Sequence, residues 1–178
     1  LLSTAVFQGG FSTGRSVTDN CEIRSKLPEI GPVNPYCRTS TGFVSQYKFI
    51  GSYVVPRADI QLSGTFQGLP GPPLAANFNA SNALIQPSLG RPLSGTAANA
   101  TVNLVAPGAL YGGRLDQLDV RVGKLLRLGP TRTSVGVDVF NVLNANTVLA
   151  ENSNYAAWRA PLAILLPRYA RFSAQIDF

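Results

Sequence analysis

The sequence contains no histidine, and this absence argues against several classes of functional site. The stretch Gly10-Phe11-Ser12-Thr13-Gly14 matches the G-x-S-x-G pattern of serine hydrolases, but no imidazole is present to act as their general base. Zinc and haem sites mostly use histidine, and two cysteines fall short of the four ligands of a structural zinc site. We therefore expect no catalytic residue, no metal and no cofactor, and a protein that is not an enzyme.

Charged residues are also scarce. They make up 13% of the chain, about half the usual ~25%. The formal net charge is +6, but the arginines and lysines are spread from Arg15 to Arg171 without forming a cluster. Nucleic-acid binding needs a concentrated basic patch, so we expect no nucleic-acid partner. Arginines scattered along polar strand faces are more typical of the inside of a pore.

Long apolar runs are missing as well. The best stretch, residues 161–167, is bounded by prolines and falls short of the ~18 residues that a membrane-spanning helix needs. The chain has no methionine, even at position 1, and its start does not resemble a signal peptide. We expect Leu1 not to be a natural translation start and the chain to be part of a larger protein. If it crosses a bilayer, it does so with strands.

What the sequence does contain is a two-residue alternation of apolar and polar side chains, which predicts six strands and no helix. The runs 46–55 and 59–67 form one hairpin around Pro56-Arg57, and a second hairpin turns at Leu128-Gly129-Pro130. A weaker strand lies near residues 3–11, where two glycines interrupt the pattern. The sixth strand ends the chain, and Phe172, Ala174, Ile176 and Phe178 share its apolar face.

Long and short connections between these strands alternate strictly. The long ones span about residues 13–42, 68–113 and 145–166, and the two others are tight turns. Outer-membrane barrels have short periplasmic turns and long outer loops. Because the smallest such barrels need about eight strands, six cannot close one. The prediction is an all-β fold, in which residues 1–178 are the C-terminal portion of a larger antiparallel transmembrane β-barrel and the last strand pairs with a strand from outside the chain.

Several motifs resemble the closing strands of TonB-dependent outer-membrane receptors. The last hairpin resembles theirs in Asp119-Val120-Arg121-Val122-Gly123-Lys124, in Gly129-Pro130-Thr131-Arg132 and in Asp138-Val139-Phe140-Asn141-Val142-Leu143-Asn144. The final strand resembles the last strand of these receptors in Pro167-Arg168, Arg171-Phe172 and Phe178.

The upstream order of motifs resembles the Oar-like branch of that family. It consists of Cys21 and Cys37 around Leu27-Pro28-Glu29, then Gln46-Tyr47-Lys48, Tyr53-Val54-Val55-Pro56 and Phe66-Gln67-Gly68-Leu69-Pro70-Gly71.

This resemblance implies a barrel of about 22 strands that is filled by an N-terminal plug and energised through TonB. The plug and the TonB contacts would come from regions outside this chain. The partners implied are outer-membrane lipid, the barrel assembly machinery and an unidentified small-molecule or peptide ligand. Phe172, Ile176 and Phe178 would form the C-terminal signal of the barrel, and the location would be the bacterial outer membrane.

The long loops hold the remaining candidate residues. Cys21 and Cys37 are expected to form a disulfide, worth roughly 3 kcal/mol for a loop of this size; the alternative is two free thiols in a cytosolic protein. Tyr111, Tyr155, Trp158 and Arg159 are candidates for ligand contact, with an aromatic girdle at the membrane interface as the alternative reading. Asp119, Arg121 and Asp138 are expected to form a ladder of charges across neighbouring strands.

The function expected from the sequence is therefore outer-membrane transport. Two alternatives stay open. One is an outer-membrane protein for surface adhesion or assembly. The other is a soluble β-sandwich, which would use the same alternation to fill a core.

Overall fold

The computed structural model describes residues 5–27, 36–128 and 131–177. The described chain is mostly strand, which confirms the expected all-β class. Its strands, numbered in chain order, are β1 (Ala5–Gly14), β2 (Val17–Asp19), β3 (Arg38–Ser40), β4 (Val44–Val55), β5 (Ile60–Leu69), β6 (Asn77–Ser81), β7 (Asn99–Asn103), β8 (Leu115–Leu128), β9 (Thr131–Phe140), β10 (Val148–Glu151), β11 (Pro161–Ile164) and β12 (Tyr169–Asp177). Two short helices, α1 (Cys21–Lys26) and α2 (Asn82–Leu89), lie in the connections.

The long strands form one six-stranded antiparallel sheet in the order β1-β4-β5-β8-β9-β12. Each of them pairs with the next long strand along the chain, so both predicted hairpins are present within a simple meander. β1 extends to Gly14, three residues beyond the predicted end. Its pairing with β4 continues without a break through Gly9, opposite Phe49, and Gly10, opposite Lys48. The Phe49 ring lies where a side chain at residue 9 would be. The glycines therefore belong to the strand and do not interrupt it.

The sheet is open in the part of the chain that the structure describes. There β1 pairs with β4 and β12 with β9, and neither has a second neighbour. Three sequence features lie outside the described residues: the terminal Phe178, the turn at Gly129-Pro130, and Pro28-Glu29 between the cysteines.

The register gives the sheet two chemically different faces, because side chains that are directly opposite each other on paired strands project to the same side. One row across four strands joins Leu62, Val122, Val137 and Phe172, and the next row joins Gly64, Val120, Val139 and Ala170. We call this side the apolar face. The opposite side, the polar face, carries Gln61, Ser63, Thr65, Gln67, Gln117, Asp119, Arg121, Ser134, Asp138, Arg171 and Ser173.

The apolar face is exposed. Phe7 and Phe172 on its two edge strands are 78% and 80% exposed, and Leu62 and Val122 between them are also accessible. The buried apolar residues lie elsewhere, at Leu74, Ala76 and Ala80 in the second long connection. The apolar face is thus not part of the buried core of the described chain.

The three long connections span residues 15–43, 70–114 and 141–168, close to the predicted boundaries. Each contains a small two-stranded sheet: β2 with β3, β6 with β7, and β10 with β11. The two helices were not predicted. α1 is only six residues long, and α2 contains Pro87, which argues against a helix in a sequence pattern; α2 ends at Gly90 in the left-handed conformation (φ 72°). No helix within the described ranges is long and apolar enough to cross a membrane.

The predicted disulfide is present. Cys21 at the start of α1 is bonded to Cys37 just before β3. The backbone N–H of Asn20 donates a hydrogen bond of 3.0 Å to the carbonyl of Cys37, so the bridge closes the β2–β3 hairpin at its far end.

Arg114 fixes the second connection to the end of the sheet. Its guanidinium donates hydrogen bonds to the carbonyls of Ser45 (2.9 Å) and Gly68 (3.1 Å), which belong to neighbouring strands. It also lies 4.5 Å from the centroid of the Tyr47 ring, whose hydroxyl donates to Asp116 at 2.9 Å. The Tyr47 ring covers Gly68, where a Cβ atom would overlap with it.

The close approach of Tyr47 to Gly68 gives a stability prediction. Gly68→Ala should lower the free energy of unfolding by about 1–3 kcal/mol, because the ring is held by Asp116 and Arg114 and cannot move aside freely. The measurement is equilibrium unfolding in urea followed by circular dichroism. Gly10→Ala is the matched control: its Cβ meets open space, so stability should stay unchanged or rise by about 0.5 kcal/mol. Equal effects of the two substitutions would contradict the assigned packing.

Candidate functional site

The polar face carries a row of charges across three strands. Asp138 on β9 stands opposite Arg121 on β8 and Arg171 on β12. The Nη1 of Arg121 lies 3.0 Å from Oδ1 of Asp138, and the Nη2 of Arg171 lies 3.1 Å from Oδ2. The Asp138 side chain is 8% exposed, whereas both arginines remain accessible. One carboxylate thus binds two guanidinium groups, and this row keeps a surplus positive charge.

Asp119 was expected to belong to the charge ladder, but it accepts hydrogen bonds from neutral groups. Its Oδ1 accepts hydrogen bonds from Nε2 of Gln117 (2.9 Å) and from the backbone N–H of Asn141 (2.8 Å). The Nε2 of Gln67 donates to Gln117 in turn at 3.1 Å. The expectation is correct for Arg121 and Asp138, and Arg171 completes their row, whereas Asp119 receives neutral donors.

Aromatic rings adjoin the charged row near the end of the sheet. The Arg171 guanidinium lies 5.1 Å from the centroid of Phe140, and Phe140 stacks on Tyr169 at 4.8 Å. A cavity of about 270 Å³ opens beside them, lined by residues that include Thr65, Asp119, Arg121 and Arg171. Cationic, carboxylate and hydroxyl groups at this cavity can bind a polar ligand by hydrogen bonds.

Asn141 ties the two ends of the third connection together. Its side chain, within a residue that is 2% exposed, donates to the carbonyls of Ala145 (2.9 Å) and Leu166 (2.8 Å) and accepts from the N–H of Ala145. Asn141 has φ 49°, a left-handed conformation that asparagine tolerates better than most residues. Close by, Oδ1 of Asn144 accepts the N–H of Arg168 at 3.0 Å.

The three connections contact one another and form what we call the loop assembly (residues 15–27, 36–43, 70–114 and 141–168). The first and second meet where the Tyr36 hydroxyl donates to the carbonyl of Leu104 at 3.3 Å. The second and third meet where the N–H of Asn77 donates to the carbonyl of Ser153 at 2.7 Å. Phe78 packs edge-on against Tyr155, with ring centroids 5.6 Å apart.

The structure brings three of the four predicted ligand-contact residues into one turn of the third connection. Tyr155 and Trp158 are 51% and 39% exposed, and the N–H of Trp158 donates to the carbonyl of Tyr155. Arg159 adopts φ 64° and forms an ion pair of 2.8 Å with Glu151. The hydrogen bond and the charge of Glu151 raise the pKa of the Arg159 guanidinium.

The fourth residue, Tyr111, lies in the second connection. It is partly buried and bridges to Pro73, and a Cβ at the adjacent Gly112 would lie 3.4 Å from Oε1 of Glu151. Glu151, which sequence reasoning did not select, is thus the group near which the two connections meet. With Arg159 already paired to this carboxylate, the exposed aromatic rings are the more available binding surface.

The C-terminal signal residues are placed in part. Phe172 and Ile176 project from the apolar face of β12 and are exposed, while Phe178 lies outside the described residues. Ser12 of the G-x-S-x-G match lies within β1 opposite Gln46, a regular strand position. In the described ranges, histidine, cysteine, aspartate and glutamate form no group able to hold a metal ion.

Sequence reasoning missed the residues that organise the site most strongly. Arg114 and Arg171 were not selected as candidates, and Asn141 entered only as one letter of a motif. A detectable signal existed for Asn141, because an asparagine directly after an alternating strand is a common turn residue. The partners of Arg114 lie 46 and 69 residues away, which no local pattern indicates.

No protein-family model, curated protein or solved structure matches the chain. The resemblance to TonB-dependent receptors therefore stays a prediction from the residues quoted above.

Removal of the Asn141 side chain should loosen the third connection. Asn141→Ala leaves the carbonyls of Ala145 and Leu166 without their donor and should cost about 2–3 kcal/mol of local stability. The expected result is faster tryptic cleavage after Arg159. Asn146→Ala, at an exposed asparagine of the same connection, is the control, and this variant should be cleaved at the same rate as the wild type. The role of Asn141 is excluded if both variants are cleaved at the same rate.

Removal of the charge at Asp138 should destabilise the sheet. Asp138→Asn leaves two arginines facing each other without a carboxylate, and we expect a loss of about 1–3 kcal/mol, moderated by solvent around the guanidinium groups. Asp59→Asn breaks a more exposed ion pair with Arg127 (3.5 Å) and should change stability by less than about 0.5–1 kcal/mol. Urea unfolding measures both. An Asp138 effect no larger than that of Asp59 would refute the structural role of the row.

Proposed function

We propose that the chain forms C-terminal wall strands and outer loops of a β-barrel in the bacterial outer membrane, of the TonB-dependent receptor kind. The observation that carries the proposal is the apolar face, which is continuous across six strands and exposed, opposite a hydrogen-bonded polar face. A bilayer would cover the first face, and the water of a barrel lumen would solvate the second.

The length of the apolar stretch suits a membrane. On β8 this face carries Leu118, Val120 and Val122 between the charged residues Asp116 and Lys124. The eight steps from Asp116 to Lys124, at about 3.4 Å each, give about 27 Å along the strand. At the tilt of roughly 35–45° that barrel strands adopt, this rises roughly 19–22 Å across the membrane, close to the apolar band about 25 Å tall in known outer-membrane barrels, and Leu126 continues the apolar face beyond Lys124.

Aromatic residues lie towards the loop end of the same face. Tyr47 stacks with Phe66 (5.8 Å between centroids) and contacts Phe49 (6.4 Å). Arg114 covers Tyr47 and bonds to strand carbonyls at the boundary with the loop assembly. Amphipathic rings and cations in this position are typical of the interfacial girdle of a barrel.

The loop assembly supplies ligand capture in this proposal. Its three connections share one end of the sheet, and Tyr111, Tyr155, Trp158 and Arg159 would offer aromatic and cationic contacts to a small molecule or peptide. The protein would bind and pass its ligand without bond chemistry, and would use neither a metal nor a cofactor. The charged row at Arg121, Asp138 and Arg171 would face the lumen.

The remaining parts of the proposal rest on the resemblance. Further strands would join the open edges β1 and β12 to complete a barrel of about 22 strands. A plug and TonB would act through regions beyond this chain. The barrel assembly machinery would recognise Phe172, Ile176 and Phe178.

The two alternatives, a soluble β-sandwich and a protein for surface adhesion or assembly, lead to expectations that differ from those of this proposal. A soluble β-sandwich would need a second sheet over the apolar face, whereas the other sheets of the described chain are two-stranded pieces within the connections. Surface adhesion or assembly is favoured by exposed apolar side chains in the loop assembly, among them Leu143, Leu162 and Leu166. An adhesin would keep its activity in cells without TonB, whereas a receptor would lose ligand uptake.

The test compares one substitution on the two faces of the sheet. Val120→Arg puts a charge on the apolar face and should cost about 2–4 kcal/mol of insertion near the bilayer centre. Thr65→Arg lies at the neighbouring level of the polar face, directly opposite Asp119, and should be tolerated. Flotation of the protein with phospholipid vesicles in a density gradient measures insertion. We expect the wild type and Thr65→Arg to float and Val120→Arg to float less.

A wild-type protein that stays in the dense fractions, soluble without detergent and with a mass near 18.9 kDa, would overturn the membrane proposal in favour of the sandwich. Equal flotation of the two arginine variants would show that the apolar face does not contact lipid.

A further inference from the structure

The apolar face contains a groove near the end of the sheet where the short turns lie. Two cross-strand rows contribute to its lining: Ile60, Lys124, Val135 and Ala174 from one, and Val122, Val137 and Phe172 from the other. The cavity measures about 630 Å³, within the usual range of roughly 300–1,000 Å³ for ligand sites. Valine side chains line its floor, and the exposed Phe172 ring forms one wall.

Lys124 is an unusual residue in this setting. Among the described strand residues of the six-stranded sheet, it is the one cation on the apolar face. The other charged residue there, Asp116, lies at the opposite end and accepts a hydrogen bond from Tyr47. Lys124 is exposed, and the described part of the chain provides it with no ion pair or hydrogen bond. An apolar groove therefore ends at an uncompensated positive charge.

The surroundings of Lys124 are basic. Arg57, in the turn between β4 and β5, is exposed at the same end of the sheet. Arg127 and Arg132 also lie at this end but belong to the polar face by register, where Asp59 pairs with Arg127 at 3.5 Å. The excess of positive charge favours an anionic group over a neutral one.

We infer that this groove binds an anionic phospholipid, with an acyl chain along the valine floor and the phosphate at Lys124. The inference rests on the proposed membrane function. It adds a lipid preference at a defined site in the leaflet on the side of the short turns. A zwitterionic phospholipid fills the same groove with the same chain but brings no net charge to Lys124.

The experiment uses the full chain in detergent with an equimolar mixture of phosphatidylglycerol and phosphatidylcholine of identical acyl chains. Native mass spectrometry counts the lipids that remain bound. The wild type should retain more phosphatidylglycerol than phosphatidylcholine. Lys124→Gln should reduce that preference by about 5-fold, the effect of one cation at an anionic surface.

Two further variants separate the site from general charge effects. Lys48→Gln removes an exposed cation from the polar face and should leave the lipid preference unchanged. Ala174→Phe fills the groove without changing charge and should lower the retention of both lipids.

The same variants are floated with vesicles, so that the two proposals can fail separately. Normal flotation of the wild type without a phosphatidylglycerol preference, or with a preference that Lys124→Gln leaves intact, overturns the lipid site alone. A lipid-free dimer that Ala174→Phe disrupts would assign the groove to a second copy of the chain and also overturn the site. Failure of the wild type to float overturns both proposals.

Discussion

The continuous antiparallel register of the six long strands is the constraint on which the rest of the structure depends. Each strand is fixed by backbone hydrogen bonds to its neighbours, and a shift of one residue would move every side chain to the opposite face. The register aligns Val122, Val137 and Phe172 in one row and Arg121, Asp138 and Arg171 in the adjacent one. The apolar surface and the charged row are thus two consequences of one pairing pattern.

Polar side-chain contacts reinforce that pairing pattern. The row of Arg121, Asp138 and Arg171 joins three strands, and Arg114 joins the ends of two strands through backbone carbonyls. Both sets use guanidinium groups, which hold several donors in one plane and so can bridge separate acceptors. Arg114, Arg121 and Arg171 thus stabilise the sheet although they lie far apart in the sequence.

The sequence allowed the sheet to be predicted well because alternation is a local property. Both central hairpins, the shared apolar side of Tyr47, Phe49 and Tyr53, and the Cys21–Cys37 disulfide follow from neighbouring residues or from a simple count. The loop assembly was beyond this reasoning. Its contacts, such as Asn77 with Ser153 and Phe78 with Tyr155, join residues more than 70 positions apart, and α2 forms despite Pro87.

The way Asn141 closes the third connection has a consequence for how the protein can diversify. One side chain holds the backbone carbonyls of both Ala145 and Leu166, so this contact between the two ends of the connection does not depend on which side chains lie between them. Sequence and length within that segment can change while β9 and β12 keep their spacing. New recognition surfaces can therefore arise there at little cost to the sheet that carries them.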